Sequence, residues 1–466
     1  MAGKHTVEKI GGTSMSRFGE IMQNVIIAGH QGDELYNRIF VVSAYGGITN
    51  LLLENKKTGA PGVYGKFASG DDAWREALEA VRARMIEFNR SFASIGLDQA
   101  VADRFVQERL DGIRDCLEDV QRIGSYGHFP KQNYLPATRE LLSAVGEAHS
   151  AFNSVQILQA QGVNARFVDL TGWKDTVMTT LDAAIVAGFA DVDMAREMPI
   201  VTGYVKYDEG IMTRFDRGYS EITFSKVAVI TKAREGIIHK EYHLSTGDPA
   251  LIGADRVQVI GATNFDIADQ LSDLDMEAIH SKASKEMELC DIPIRVKNAF
   301  DPTHPGTLIQ RGYVSPEPRV EIICGRDDVV AVEVHDPEMV GEVGYDYRLL
   351  EHLRRADISY IAKNTNANTI THFVPEKHAG LQRCVNGIRD AFPAASVVVS
   401  PVAIVSVIGT NMRLPGFLSR AANALAREKI NVLGLGQAMR QVNMQFIVRR
   451  EDYKGAQVAL HREFVE

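Results

Sequence analysis

The chain has 466 residues, of which 45% are hydrophobic and 24% charged, with a net charge of −9. That is ordinary for a globular protein, long enough for about three domains, and too acidic overall to suggest a nucleic-acid partner. No run approaches the roughly 18 apolar residues of a membrane helix, and no signal-peptide core follows Met1, so a cytoplasmic location without membrane contact is expected. The four scattered cysteines, Cys116, Cys290, Cys324 and Cys384, form no CxxC pair. They point to a reducing compartment and to neither a disulfide framework nor a zinc site, and no protein-held metal is expected.

Val7–Ile10 sets two charged residues between apolar ones and predicts a strand. Gly11-Gly12-Thr13-Ser14 follows, then a helical pattern over Ser16–Ile27. Glycines let backbone amides approach an anion, and a helix start adds partial positive charge. Gly11, Gly12, Thr13 and Ser14 are therefore candidate phosphate contacts, and Lys9 could reach a transferred phosphate. An ordinary strand–turn–helix with a surface lysine fits the same residues.

Ile39–Val42 reads as a buried parallel strand. It ends in Ser43-Ala44-Tyr45-Gly46-Gly47-Ile48-Thr49-Asn50, which enters a helix at Leu51–Glu54. Two such units predict a doubly wound sheet with ligands off the strand carboxyl ends. Ser43 and Thr49 are substrate candidates or simple helix caps. Residues 55–70 read as loop and 71–123 as a helical insertion. A helix over Thr138–Gln161 carries Glu147 among small and apolar residues, as a solvated group or as a buried charge awaiting a cation. Strands follow at Val163–Leu170, Pro199–Tyr204 and Gly236–Tyr242. Before a helix at Ile222–Lys232, Arg217, Ser220 and Glu221 lie together. An arginine fork suits a carboxylate and a glutamate suits an ammonium, although an intraloop surface pair fits too. Residues 265–289 look mostly helical, and Ile294–Asn298 is a strand.

From about residue 320 the order strand, helix, strand, strand, helix occurs twice. The first set is Val329–Val334, Tyr345–Ala356, Ile358–Lys363, Thr369–Val374 and Lys377–Ala391. The second is Val402–Val407, Gly416–Glu428, Ile430–Leu435, Asn443–Val448 and Tyr453–Phe464. This predicts two copies of a small βαββαβ domain. The loop Gly409–Gly416, with Asn411 and Met412, is where a small amino-acid effector would meet backbone amides, or it is a plain connection.

In this order the motifs resemble those of the aspartate kinases, amino-acid kinases with C-terminal ACT domains. Lys9-Ile10-Gly11-Gly12-Thr13-Ser14 resembles the family's Lys-x-Gly-Gly-Thr-Ser. Val42-Ser43-Ala44 through Leu52 resembles its second signature. Gly146-Glu147 with Ser150 is similar to Gly-Glu-x-x-Ser, and Arg217–Glu221 to Arg-Gly-Gly-Ser-Asp. Val296-Lys297-Asn298 through Ile309 resembles the linker into the ACT pair. The wording around Glu8–Met15 and Asn37–Tyr45 looks most like the kinases associated with ectoine synthesis.

The resemblance implies an α/β fold: a three-layer αβα kinase domain over 1–312, then ACT domains over 313–395 and 396–466. It implies transfer of the ATP γ-phosphoryl group to the side-chain carboxylate of L-aspartate, with Mg²⁺ held mainly by the nucleotide phosphates. Lys9 and Arg217 would be catalytic. Lys9, Gly11–Ser14 and Asp248 would contact nucleotide. Ser43, Thr49, Glu147, Arg217, Ser220 and Glu221 would hold aspartate. A homodimer through the ACT domains and an amino-acid effector near Asn411 and Met412 are expected. The family's Thr-Asp-Val-Asp-Gly falls on His239–His243, which does not match it, and only Asp248-Pro249 persists. A family lysine falls near Glu277, with Lys282 or Lys285 as replacements, which leaves the adenine and ribose contacts open. Two other functions fit the chain: a related acyl-phosphate-forming kinase, and a catalytically silent ACT-type sensor.

Overall fold

The computed structural model describes residues 3–272, 274 and 279–466, and only the backbone of Arg217. Glu277 lies outside the described residues. The chain forms two compact units, Met1–His243 with Ile279–Arg311, and Leu244–Ala278 with Gly312–Glu466. Residues 244–278 therefore cluster with the C-terminal residues, whereas the sequence placed them with the kinase domain.

The first unit is built on strands β1 (Thr6–Ile10), β2 (Arg38–Val42), β3 (Ala165–Val168), β4 (Met198–Thr202), β5 (Glu235–Lys240), β6 (Ile294–Asn298) and β7 (Thr307–Ile309). They lie in the order β3-β4-β2-β1-β5-β6-β7. Pairing is parallel except for β7 against β6. All five residues of β2 and of β4 are buried, the pattern of a sheet covered on both faces. Chain order reverses at β1, which has β2 on one side and β5 on the other. Such a reversal leaves a crevice at the strand carboxyl ends.

The expected Ser16–Ile27 helix is present as Phe18–Ile21 continuing directly into a π-helical turn over Met22–Ile26, preceded by a separate single turn, α1 (Gly12–Met15). The loop expected over 55–70 contains a helix, Val63–Ser69, whose Val63 and Phe67 are buried. The helical insertion is two helices, α2 (Trp74–Phe92) and α3 (Gln99–Gly124), the latter capped by Asp98 accepting from the Val101 amide. Their apolar residues recur at helical spacing and are buried. Helix α4 (Leu135–Ala160) lies against β3 and β4. Helices α5 (Tyr219–Thr231) and α6 (Ser281–Leu289) pack on each other.

The second unit holds β8 (Ile322–His335), α7 (Tyr345–Arg355), β9 (Ala362–Thr365), β10 (Thr369–Pro375), α8 (Leu381–Ala391), β11 (Ser396–Ile408), α9 (Phe417–Arg427), β12 (Gly434–Gln437), β13 (Asn443–Val448) and α10 (Tyr453–Phe464). One antiparallel sheet runs β9-β10-β8-β11-β13-β12. β8 and β11 are longer than the repeat suggested, because each serves both copies. Val330, Val332 and Val334 belong to the core of α7 and α8, with Val397 packed against it. Ile323 belongs to the other core, with Val405, Val407 and residues of α9 and α10. Each copy thus takes its sixth strand from the long strand that opens the other.

The third-place strands begin later than expected, at Ala362 and Gly434 instead of Ile358 and Ile430. In both copies the isoleucine closes the preceding helix. Asp357 and Lys429 are left-handed, at φ 61° and 59°. The Ile358 amide donates to the Leu353 carbonyl and the Ile430 amide to that of Leu425. These are Schellman C-caps, with the apolar residue after the cap buried. No helix among the described residues is long and apolar enough to cross a membrane.

Candidate functional site

The charged pair at the heart of β1 divides between the two faces of the sheet. Successive side chains of a strand point to opposite faces. Glu8 faces a buried cluster: Arg38 Nε donates to its Oε1 at 2.7 Å, and His239 Nε2 lies 2.8 Å from Oε2. Burial pushes the Glu8 carboxyl up, but Arg38 and His239 outweigh it and hold it well below the usual range. His239, which the sequence left on the nucleotide side, is thus buried within the first unit against Glu8.

Lys9 points the other way. Its Nζ lies 3.2 Å from Glu221 Oε1, with both side chains largely buried. Glu221 sits in the first turn of α5, and its Oε2 accepts from the His280 amide at 2.6 Å, just before α6. Burial acts to raise the Glu221 carboxyl, yet the charges of Lys9 and Lys240 and the His280 amide hold it below its ordinary value. Glu221 was expected on the substrate ammonium. In this geometry both its oxygens are engaged, and the group holds Lys9 in place.

Glu147 is different. It is 2% exposed on α4, and Ser220 Oγ donates to its Oε1 at 2.6 Å. Oε2 has no hydrogen-bond partner among the described residues. Burial pushes this carboxyl up to about 8, against the opposing effects of the Ser220 hydroxyl, the Lys9 charge, the Tyr204 amide and the Tyr219 side chain. A buried acceptor without a partner is costly, so an ammonium brought there would be held strongly. The strand end at β4 makes room for the pair: a Cβ on Gly203 would come within 2.8 Å of Ser220 Cβ and 2.9 Å of Glu147 Oε2. Gly203→Ala is accordingly expected to raise the KM for the amino-acid substrate about tenfold or more and to cost about 1–3 kcal/mol of stability through overpacking. Initial rates and thermal melts test this, and an unchanged KM would separate the Glu147–Ser220 pair from substrate binding.

The phosphate loop and the second signature turn are stitched together. Ser16 Oγ donates to the Gly12 carbonyl and accepts from the Gly46 amide at 2.8 Å. A Cβ on Gly12 would lie 2.5 Å from the Ala44 carbonyl oxygen, so only glycine permits this approach. The first-turn amides of α1, at Gly12, Thr13 and Ser14, are not consumed by helix bonds. Ser43 lies at the end of β2, where its carbonyl accepts from Ser150 Oγ at 2.8 Å, joining this turn to α4. Thr49 lies in the helix Ile48–Leu52. The backbone of Arg217 forms the tight turn Asp216–Gly218 before α5, and its side chain is outside the described atoms.

Sequence reasoning left one group without a role. Glu241, just past β5, accepts from Ser14 Oγ at 2.8 Å. The mismatch of His239–His243 with the family motif was the available signal.

In the second unit, Asp248 caps the turn Pro249–Ile252 by accepting from the Ala250 amide. Met412 is buried in the core of α9 and α10. Asn411 donates to the Ser315 carbonyl at 2.9 Å, and Thr410 donates through amide and hydroxyl to Glu321. The expected effector loop is therefore tied to residues 315–321.

Residues 4–298 match the model of the amino acid kinase family, and residues 405–464 match that of an ACT domain. The chain belongs to the amino acid kinase family. Over 464 residues it is 48% identical to the aspartate kinase Ask_Ect of Stutzerimonas stutzeri (strain A1501), covering 99% of this chain and 98% of that one. This places it with the aspartate kinases. Aspartokinase 1, chloroplastic, of Arabidopsis thaliana is 24% identical over 484 residues, with 99% of this chain and 80% of that one covered. The fold matches that of E. coli aspartokinase III solved with aspartate and ADP, with a TM-score of 0.75 at 21% identity over 99% of this chain and 100% of that one. The same enzyme solved with lysine and aspartate matches with a TM-score of 0.74 at 20% identity over 100% of both chains.

Proposed function

We propose that the chain is an ATP-dependent aspartate kinase that transfers the γ-phosphoryl group of ATP to the side-chain carboxylate of L-aspartate, giving 4-phospho-L-aspartate. The resemblance to the ectoine-associated kinases makes this the first step of an aspartate-derived route, that to ectoine. The observation that carries the reading is the meeting of Lys9 and Glu221 beside the Gly11–Ser14 loop, in a chain 48% identical end to end to an aspartate kinase.

The nucleophile is a carboxylate, ionised at neutral pH, so no general base is needed. The barrier lies in bringing one anion onto another, and catalysis is positioning plus charge neutralisation. Lys9 and the loop amides face the phosphates. Glu147, with Ser220, holds the substrate ammonium, Arg217 clamps the α-carboxylate, and Ser43 and Thr49 hydrogen-bond the substrate. Glu221 fixes the Lys9 ammonium.

Mg²⁺ fits the donor chemistry. Ser14 and Glu241 offer hard oxygens, and no group of three His, Cys, Asp or Glu able to hold a metal occurs among the described residues. An ion that keeps its waters and sits on phosphates suits such a sparse protein contribution; when bound, it would neutralise phosphate charge. A cytoplasmic homodimer joined through the ACT domains, with an amino-acid effector bound there, completes the proposal.

ADP release with Mg-ATP against L-aspartate, L-glutamate and N-acetyl-L-glutamate tests it. Release with aspartate alone is expected. Release with another acid would name a different kinase, and none with any acid would favour an ACT-type sensor. A thermal shift with lysine or threonine tests the effector, since a ligand that binds only the native state raises the midpoint.

A further inference from the structure

Three glutamates lie around the loop that takes the phosphates, and two have an answer. Glu221 is met by Lys9, and Glu147 carries the unpartnered oxygen that suits the substrate ammonium. Glu241 is held by the Ser14 hydroxyl at 2.8 Å. Ser14 itself is fully buried, so the contact fixes the carboxylate against the loop. The Arg17 charge acts on it from across the turn, but the Arg17 guanidinium is committed elsewhere. It forms two bonds to Glu20, at 2.7 and 2.6 Å, and lies 3.7 Å over the Phe300 ring.

A carboxylate placed against an anion-binding loop repels a polyphosphate. Two unit charges about 4 Å apart cost several kcal/mol at the effective dielectric of a protein surface. The arrangement becomes favourable when a divalent cation lies between them. A hydroxyl of the phosphate loop paired with a carboxylate at the end of the neighbouring strand is also a donor set for Mg²⁺ on nucleotide phosphates. Ser14 follows β1 and Glu241 follows β5, the strand paired with β1 in register from Thr6↔Glu235 to Ile10↔His239.

We infer that Glu241, with Ser14, is a positioning residue that recruits the Mg²⁺ of the bound nucleotide, directly or through its water. This rests on the kinase reading above. It makes the chain's selectivity for metal-bound over metal-free nucleotide depend on one side chain.

The test is ADP affinity by calorimetry, with saturating Mg²⁺ and with EDTA, for the full-length protein and for Glu241→Gln. Glutamine keeps an oxygen for the Ser14 hydroxyl, and circular dichroism checks the fold. The Mg²⁺-dependent gain in affinity should fall about 10- to 100-fold in Glu241→Gln. The same variant should bind metal-free ADP as well as the parent or better, because the repulsion is gone. Glu241→Asp should keep part of the gain. With Mn²⁺ in place of Mg²⁺, the relaxation enhancement of Mn·ADP on the protein should change in Glu241→Gln. Equal weakening with and without metal would show a merely structural role and overturn the inference. An unchanged Mg²⁺ dependence would overturn it too, with the kinase reading intact. If the parent protein binds ADP under neither condition, the kinase reading falls and this inference with it.

Discussion

Lys9→Ala is expected to lower kcat about a thousandfold, the scale of losing a fixed cation at a phosphoryl-transfer or oxyanion site, with the fold retained. Lys9 is held from two directions. Its backbone is paired with Val41 and Ile238 in the two neighbouring strands, and its Nζ is held 3.2 Å from Glu221. Such a group does not have to be ordered when substrate arrives, which is the advantage of preorganised charge. The stability cost should be small, a fall of a few degrees in the thermal midpoint. Glu221 would still have the Lys240 charge and the His280 amide, so no isolated buried charge is left behind. Lys9 also lowers the carboxyl pKa of both Glu147 and Glu221. Its loss should therefore move any pH dependence of aspartate binding to higher pH. Steady-state ADP release together with a thermal melt checks these expectations. A variant with near wild-type kcat would remove Lys9 from the reaction.

The contrast with Glu8 shows what a sequence can and cannot say here. Glu8 and Lys9 are adjacent charges in a short strand, which puts them on opposite faces of the sheet but does not say what either face meets. The sheet assigns one to a buried cluster with Arg38 and His239 and the other to the candidate site beside Glu221. The partners come from residues 30 to 231 positions away, which periodicity cannot find. The strand Thr6–Ile10, the glycine turn and the buried strand Arg38–Val42 were legible, because burial on both faces leaves an apolar run and a turn leaves glycine. The helix that follows the glycine turn was legible as well, but the separate turn Gly12–Met15 ahead of it was not, because it is closed by Ser16 bonding back to Gly12 and across to Gly46.

In the ACT pair the repeat order was visible, but the ownership of the long strands was not. Val329–Val334 and Val402–Val407 mark only the half of each strand that follows its own copy's pattern. The other halves, Ile322–Gly325 and Ser396–Val399, pair across the copies. The Ile358 and Ile430 offsets arise because an apolar cap residue and the first residue of a strand look alike in sequence. At the site, Glu147 stood out as a carboxylate in apolar company. The role of Glu241 depends on a contact spanning 227 positions.

Glu147→Gln is expected to weaken aspartate binding about 10- to 100-fold, the worth of a charge-assisted hydrogen bond, and to change how binding responds to pH. With its carboxyl pushed up to about 8 by burial, Glu147 in the ligand-free protein is mostly protonated at pH 7. On the proposal that Glu147 receives the substrate ammonium, binding needs the ionised form and must expel that proton. Two consequences follow for the parent protein. Calorimetry at pH 7 in buffers of different ionisation enthalpy should show close to one proton released per aspartate bound. Affinity should also rise about tenfold per pH unit between pH 6 and 7.5. Glutamine has no proton to lose, so both signatures should vanish.

Stability should move the other way. The folded pKa of about 8 lies above the ordinary value of 4.5, so the folded state binds this proton more tightly than the unfolded chain. The resulting stabilisation is full below about pH 4.5 and is lost as pH rises through 8. Glu147→Gln escapes that loss and keeps an oxygen for the Ser220 hydroxyl, so at pH 9 it should melt at or above the parent temperature. A substituted protein that melts lower at pH 9, with aspartate binding weakened but proton release unchanged, would make Glu147 a structural carboxylate. A variant more stable at high pH yet poorer at holding aspartate is the behaviour of a buried charge kept for the substrate, because its cost to the fold is offset only when the ammonium arrives.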